Sequence, residues 1–144
     1  MIRVKIDYKL IDFNVMDALV YAMTTASPDV VAAIAARAPK RTGNLAKSIK
    51  TRRYTKAPMV RMKVLSNVPY ARYVIEGTGL HGPKASLIYP VTAKVLHWTE
   101  SGQSIFAAST QGQMPNDFPK KAFDTVKENL KIRIKQVIDD RIKA

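Results

Sequence analysis

The sequence contains no cysteine, which excludes disulfides, thiol nucleophiles and cysteine-ligated zinc or iron–sulfur centres. Histidine occurs only as His81 and His97, and neither has metal-ligand spacing to a carboxylate or to the other. No apolar run approaches the roughly 20 residues that span a bilayer. The longest runs, around 18–23 and 30–36, are much shorter. The start, Met1-Ile2-Arg3-Val4-Lys5-Ile6-Asp7, alternates apolar and charged residues and lacks the apolar stretch of a secretory signal. These absences predict a protein with no metal or cofactor, neither exported nor held in a membrane.

Acidic residues are also scarce. Eleven carboxylates face 24 lysines and arginines, for a net charge of +13. The imbalance is local: residues 37–63 hold ten basic side chains and no acidic one, whereas residues 64–119 hold three of each. Such a field attracts phosphates, anionic lipid or an acidic protein surface, and charge alone does not choose among them. The rest of the composition is ordinary, with 47% hydrophobic and 24% charged residues. A chain of 144 residues with this usage predicts one folded domain over 1–144.

Apolar residues alternate with charged ones over 2–9, which predicts a half-buried strand. Val15, Ala18, Leu19, Ala22 and Met23 recur at helical spacing, with Asp12 or Asn14 as cap, and this helix is expected to end near Ser27-Pro28. Ser27-Pro28-Asp29 reads as a fresh start for a second helix over 28–38, stacked end to end on the first with a kink. Residues 49–55 and 59–66 predict a hairpin around Lys56-Ala57-Pro58, with Val60, Met62 and Val64 on one face and Arg61 and Lys63 on the other. A short helix over 69–75 is expected to turn Tyr70, Tyr73 and Val74 inward. Short strands are expected at 87–89, 94–98 and 104–108, and long loops at 77–85 and 109–117. A stripe of Phe118, Ala122, Phe123, Val126, Leu130, Ile134, Val137, Ile138 and Ile142 predicts a final helix of about 25 residues, some 37 Å long, whose last turns are expected to project or to contact a neighbour. The expected fold class is α+β: a small, mainly antiparallel sheet packed by the N-terminal helices and a long C-terminal helix.

The chemistry on offer is thin. Gly77-Thr78-Gly79-Leu80-His81-Gly82 has the spacing of a nucleotide loop, but it follows a helix and runs into Pro83, where a phosphate-binding helix would begin. A loop needing positive φ is the plainer reading. Glu76 has no acid–base partner in view and is expected either to pair with a basic neighbour or to cap backbone amides. No serine sits in a nucleophile-elbow context, so no enzymatic step is expected. The basic residues Lys47, Lys50, Arg52, Arg53, Arg61 and Lys63 are the candidate contact set for a protein partner or for DNA.

Three segments taken in order carry a resemblance. The first is Ala38-Pro39-Lys40-Arg41-Thr42-Gly43-Asn44-Leu45 with Ser48-Ile49. The second is Pro69-Tyr70-Ala71-Arg72-Tyr73-Val74-Ile75-Glu76-Gly77-Thr78-Gly79. The third runs from Ile88-Tyr89-Pro90 through Leu96-His97-Trp98 to Met114–Phe123. Together, over about residues 30–130, they resemble the tail-completion or head–tail joining family of neck proteins in long-tailed double-stranded-DNA bacteriophages. The adjacent Pro-Phe usual in that family is split here by Asn116-Asp117.

The resemblance implies a structural virion protein assembled in the host cytoplasm. It implies a closed homo-oligomeric ring, six- or twelvefold, at the neck between connector and tail. The partners it implies are connector or head-completion proteins and the tail terminator or tail-tube protein, with non-specific contact to DNA in the channel. Thr42, Gly43, Leu45, Tyr70, Tyr73, Glu76, Gly77, Thr78 and Phe118 are the motif residues expected to serve structure or interface. Two alternatives remain: a tail terminator ring that caps the tube, and a small basic nucleic-acid-binding protein.

Overall fold

A computed structural model describes residues 2–6, 13–56 and 59–143. The chain folds as two units, one made of Met1–Val68 with Phe118–Ala144 and the other of Pro69–Asp117. The class is α+β, with helices beside small antiparallel sheets and a long C-terminal helix.

The first unit contains β1 (Ile2–Ile6), α1 (Phe13–Arg37), α2 (Asn44–Lys47), β2 (Ile49–Lys56), β3 (Met59–Ser66) and, from the C-terminus, a helix over Phe118–Lys143. Its sheet runs β1-β3-β2, antiparallel throughout, with β3 central. Alternation along β3 buries Val60, Met62 and Val64 and leaves Arg61 and Lys63 on the other face. The hairpin expected at 49–55 and 59–66 is thus present, one residue longer in its first arm. Residues 7–9 of the expected first strand, Asp12, and Ala57-Pro58 at the hairpin turn lie outside the described residues.

The expected helix break at Ser27-Pro28 does not occur: α1 is continuous, with Pro28 inside it. An interior proline costs about 3 kcal/mol through a lost backbone bond and ring crowding. Tertiary contacts offset that cost. Ala18, Leu19, Ala22, Met23, Ala26, Val30 and Ile34 form one buried stripe that passes the proline without interruption. Each large side chain in it contributes roughly 1.5–3 kcal/mol. On the sheet side, Arg53 donates to Thr24 Oγ1, and the Ser27 and Thr51 hydroxyls share a hydrogen bond. Asp29, expected to favour a helix start, instead meets Arg133 of the C-terminal helix. As one helix, Val15–Arg37 is long and apolar enough to cross a bilayer by length and composition, although neither apolar run within it is. Its apolar stripe lies in the core, against the C-terminal helix and the sheet.

In the second unit, α3 (Ala71–Glu76) leads through a single 3-10 turn at Gly79–His81 to the hairpin of β4 (Leu96–Glu100) and β5 (Gln103–Ala107). The strand expected at 87–89 is reduced to one bridge, Ile88 to Thr110. Only Ala71 and Gly77 are buried in this unit. Tyr70 and Tyr73, expected to point inward, are exposed, Tyr73 by 60%. Six residues of helix turn only one narrow stripe inward, and Ala71 occupies it.

The final helix, α4 (Phe118–Lys143), begins directly after Asp117 and buries Phe118, Ala122, Leu130, Ile134 and Ile138. Its 26 residues extend about 39 Å. Ile142, at the far end of the expected stripe, is exposed.

Candidate functional site

The first motif is a structural turn. Gly43 adopts φ +73 at the cap of α2 with open space around it, so its role there is conformational. Thr42 Oγ1 accepts from the Asn44 amide at 3.4 Å. Leu45 is buried in the core. Ser48 Oγ donates to the Leu45 carbonyl at 2.7 Å and shares a 2.6 Å hydrogen bond with Ser66 Oγ, which ties α2 to β3. Ile49 then opens β2 with a buried side chain.

The glycine motif locks two loops together. The Thr78 amide donates to the Gln113 carbonyl at 2.9 Å, the Leu80 amide to the Gln111 carbonyl at 2.8 Å, and the Gln113 amide to Thr78 Oγ1 at 2.8 Å. The backbones approach so closely that a Cβ at Gly79 would lie 2.2 Å from the Gln111 carbonyl oxygen, and one at Gly112 2.3 Å from that of Thr78. This contact accounts for Gly77 and Gly79 in the spacing that imitates a nucleotide loop, whereas Gly82 packs on the Gly77 carbonyl within the same loop. The contact also joins the segments expected as separate loops at 77–85 and 109–117. Gly77 is buried in the same contact. Glu76 pairs with Arg72 at 2.8 Å, the first of its two expected roles. That hydrogen bond, helped by the carboxylate charge, raises the Arg72 pKa above its already high ordinary value.

Backbone contacts hold the unit together, and eight of its large apolar side chains turn outward while Val74, Ile75, Leu87, Ile88, Leu96, Trp98 and Ile105 are half-buried. Leu80, Tyr89, Val91, Val95, Phe106 and Met114 are each exposed, as are Tyr70 and Tyr73. Phe106, 65% exposed, stacks on His97 with centroids 4.5 Å apart. An open groove of about 490 Å³ runs beside Arg72, Tyr73, Thr78, Lys84, Leu87 and Ile88. Exposed apolar area of this kind marks surfaces that bind other proteins. Tyr70 and Tyr73 are motif residues, and Tyr89 and Met114 fall in the third resembling segment; Leu80, Val91, Val95 and Phe106 belong to no family motif and show no periodicity that betrays a surface.

The basic candidates separate by strand register. Arg52 lies opposite Lys63, and Lys50, Tyr54 and Lys56 lie opposite Leu65, Arg61 and Met59. Lys50, Arg52, Lys56, Arg61 and Lys63 therefore share the face directed away from α1. Arg53 has the other parity and meets α1 at Thr24. Lys47, exposed on α2, is not on the sheet. Among the described residues, no group of histidine and carboxylate side chains could hold a metal ion.

Comparison with known proteins adds one finding. Residues 12–77 match the HK97-gp10-like family. Its description reads "Bacteriophage HK97-gp10, putative tail-component". The match takes in α1, the turn at Thr42–Ile49, the hairpin and α3, and ends at Gly77. It covers the first resembling segment and most of the second, extends N-terminal of them, and does not reach the third. No curated protein and no solved structure matches the chain significantly. A tail-component match supports a structural, tail-related role within a bacteriophage virion, in contact with other virion proteins. Families of this kind are generally not enzymatic.

Proposed function

We propose that this protein joins the DNA-filled head to the tail, as a closed ring of identical subunits at the neck. The reading rests on the outward apolar surface of the second unit, carried by a chain with a tail-component match. A unit with so little core is stabilised when a neighbour covers it. A head-to-tail contact repeated around an axis closes into a ring when the rotation closes. Sixfold or twelvefold symmetry suits the tail tube and the connector. The ring meets connector or head-completion proteins on one side and the tail terminator or tube on the other, and it assembles in the host cytoplasm. The motif at Thr42–Ile49 then acts as scaffold, and Tyr70 and Tyr73 act as anchors.

Deleting the gene from its phage is expected to yield filled heads and finished tails that stay apart. Adding purified protein to such a lysate is expected to restore joined particles. Tails of uncontrolled length would instead identify a tail terminator. Normal numbers of joined particles would remove the chain from assembly.

A further inference from the structure

We infer that the outer face of the three-stranded sheet is a binding surface for the phosphate backbone of duplex DNA. This goes beyond the joining role and does not depend on it. Lys50, Arg52, Lys56, Arg61 and Lys63 lie together on that face.

Among the described residues, no carboxylate pairs with any of these five cations. Arg61 donates to the Met59 sulfur at 3.5 Å, and Lys63 Nζ stands 4.9 Å from the centre of the Tyr54 ring. Both contacts position a charge without neutralising it. Arg52 directly opposite Lys63 is a like-charge pair, which disfavours the isolated sheet. A polyanion laid across the face relieves that repulsion.

Composition favours nucleic acid over an acidic protein. Protein interfaces centre on apolar anchors and are poor in lysine. Among the described residues, Tyr54 is the one aromatic beside five cations on this face, and most of the exposed apolar side chains are in the other unit. Nucleic-acid interfaces are far more basic. One tyrosine is no stacking platform for a run of unpaired bases, which favours a duplex. The dimensions agree. Lys50 to Lys56 spans about 20 Å at 3.4 Å per residue, and a DNA strand places one phosphate about every 3.4 Å along the axis. The face therefore matches the axial rise of about six nucleotide steps, over which one strand winds about half a turn around the duplex.

The test uses the full-length chain and a 20-base-pair duplex, in two unrelated sequences, titrated at several salt concentrations. Five phosphate contacts predict a slope of log affinity against log salt of about −4.5, or a loss of about 500-fold between 50 and 200 mM. The two duplexes should bind equally. The triple variant Arg52→Gln/Arg61→Gln/Lys63→Gln should reduce the slope by about three, and adding Lys50→Gln and Lys56→Gln should remove most of the rest. Removing like charges should leave thermal melting unchanged or higher, so a folded variant is expected. The control Lys127→Gln/Lys131→Gln/Lys135→Gln, on α4, should bind as the parent does. No binding at 50 mM salt, or an unchanged slope in the triple variant, would overturn the inference. So would polyglutamate of equal charge binding more tightly than duplex, which would point to an acidic protein partner. Binding to duplex by a protein whose deletion leaves particles joined would support this surface while removing the neck role.

Discussion

Replacing Gly79 with alanine is expected to open the second unit while leaving the first intact. Gly79 has φ +63, a conformation that costs any other residue about 1–2 kcal/mol. Its added Cβ would also collide with the Gln111 carbonyl, a backbone atom that cannot turn aside. The loops must separate, and the adjacent Leu80–Gln111 and Thr78–Gln113 hydrogen bonds weaken or break at about 1 kcal/mol each. The sum is about 3 kcal/mol or more. Gly43 provides the control. Its φ is +73, but nothing lies near the new Cβ, so Gly43→Ala should cost only about 1–2 kcal/mol. Amide hydrogen exchange separates the cases. In Gly79→Ala, the Thr78, Leu80 and Gln113 amides should lose protection while those of α1 keep theirs. Equal, small effects of the two substitutions would mean that the loops are not locked.

The second large effect is expected on α4. Ile134 is 2% exposed and Ile132, two positions away, is 58% exposed. Ile134→Ala leaves a cavity in the core of the first unit and should destabilise it by about 3 kcal/mol, within the usual 2–5 for such a deletion. Ile132→Ala should stay within about 0.5 kcal/mol. Urea unfolding followed by helical circular dichroism measures both. Similar losses at the two positions would contradict the packing of α4 on α1.

Legibility in the sequence depended on how local each determinant is. The hairpin over 49–66 was readable because Val60, Met62 and Val64 alternate with Arg61 and Lys63 within one strand. The stripe of α4 was readable because its burial follows one helical period. The break expected at Pro28 was a local argument that lost to tertiary contacts. Seven buried side chains and two hydrogen-bonded hydroxyls, at Thr24 and Ser27, hold the helix across the proline. The glycine segment misleads for a related reason. Tight turns and close backbone approach both select glycine, and only the position of Gln111 and Gln113 tells which applies.

The candidate surfaces divide in the same way. The basic stretch was plain from composition, but its division was not: Arg52 and Arg53 are neighbours in sequence and face opposite sides of the sheet. The exposed apolar residues of the second unit were the least readable. Tyr89, Val91, Val95 and Phe106 carry no sign in sequence that they face outward. Their exposure follows from a unit closed mainly by backbone hydrogen bonds.

The central claim is most directly tested by a reconstruction of the intact phage particle by cryo-electron microscopy. The account predicts this chain in a ring of six or twelve copies between connector and tail, with Tyr73, Tyr89 and Phe106 covered by a neighbouring subunit. Its density along the tail shaft, inside the capsid or nowhere in the particle would contradict the account, as would a ring that leaves those three side chains in solvent.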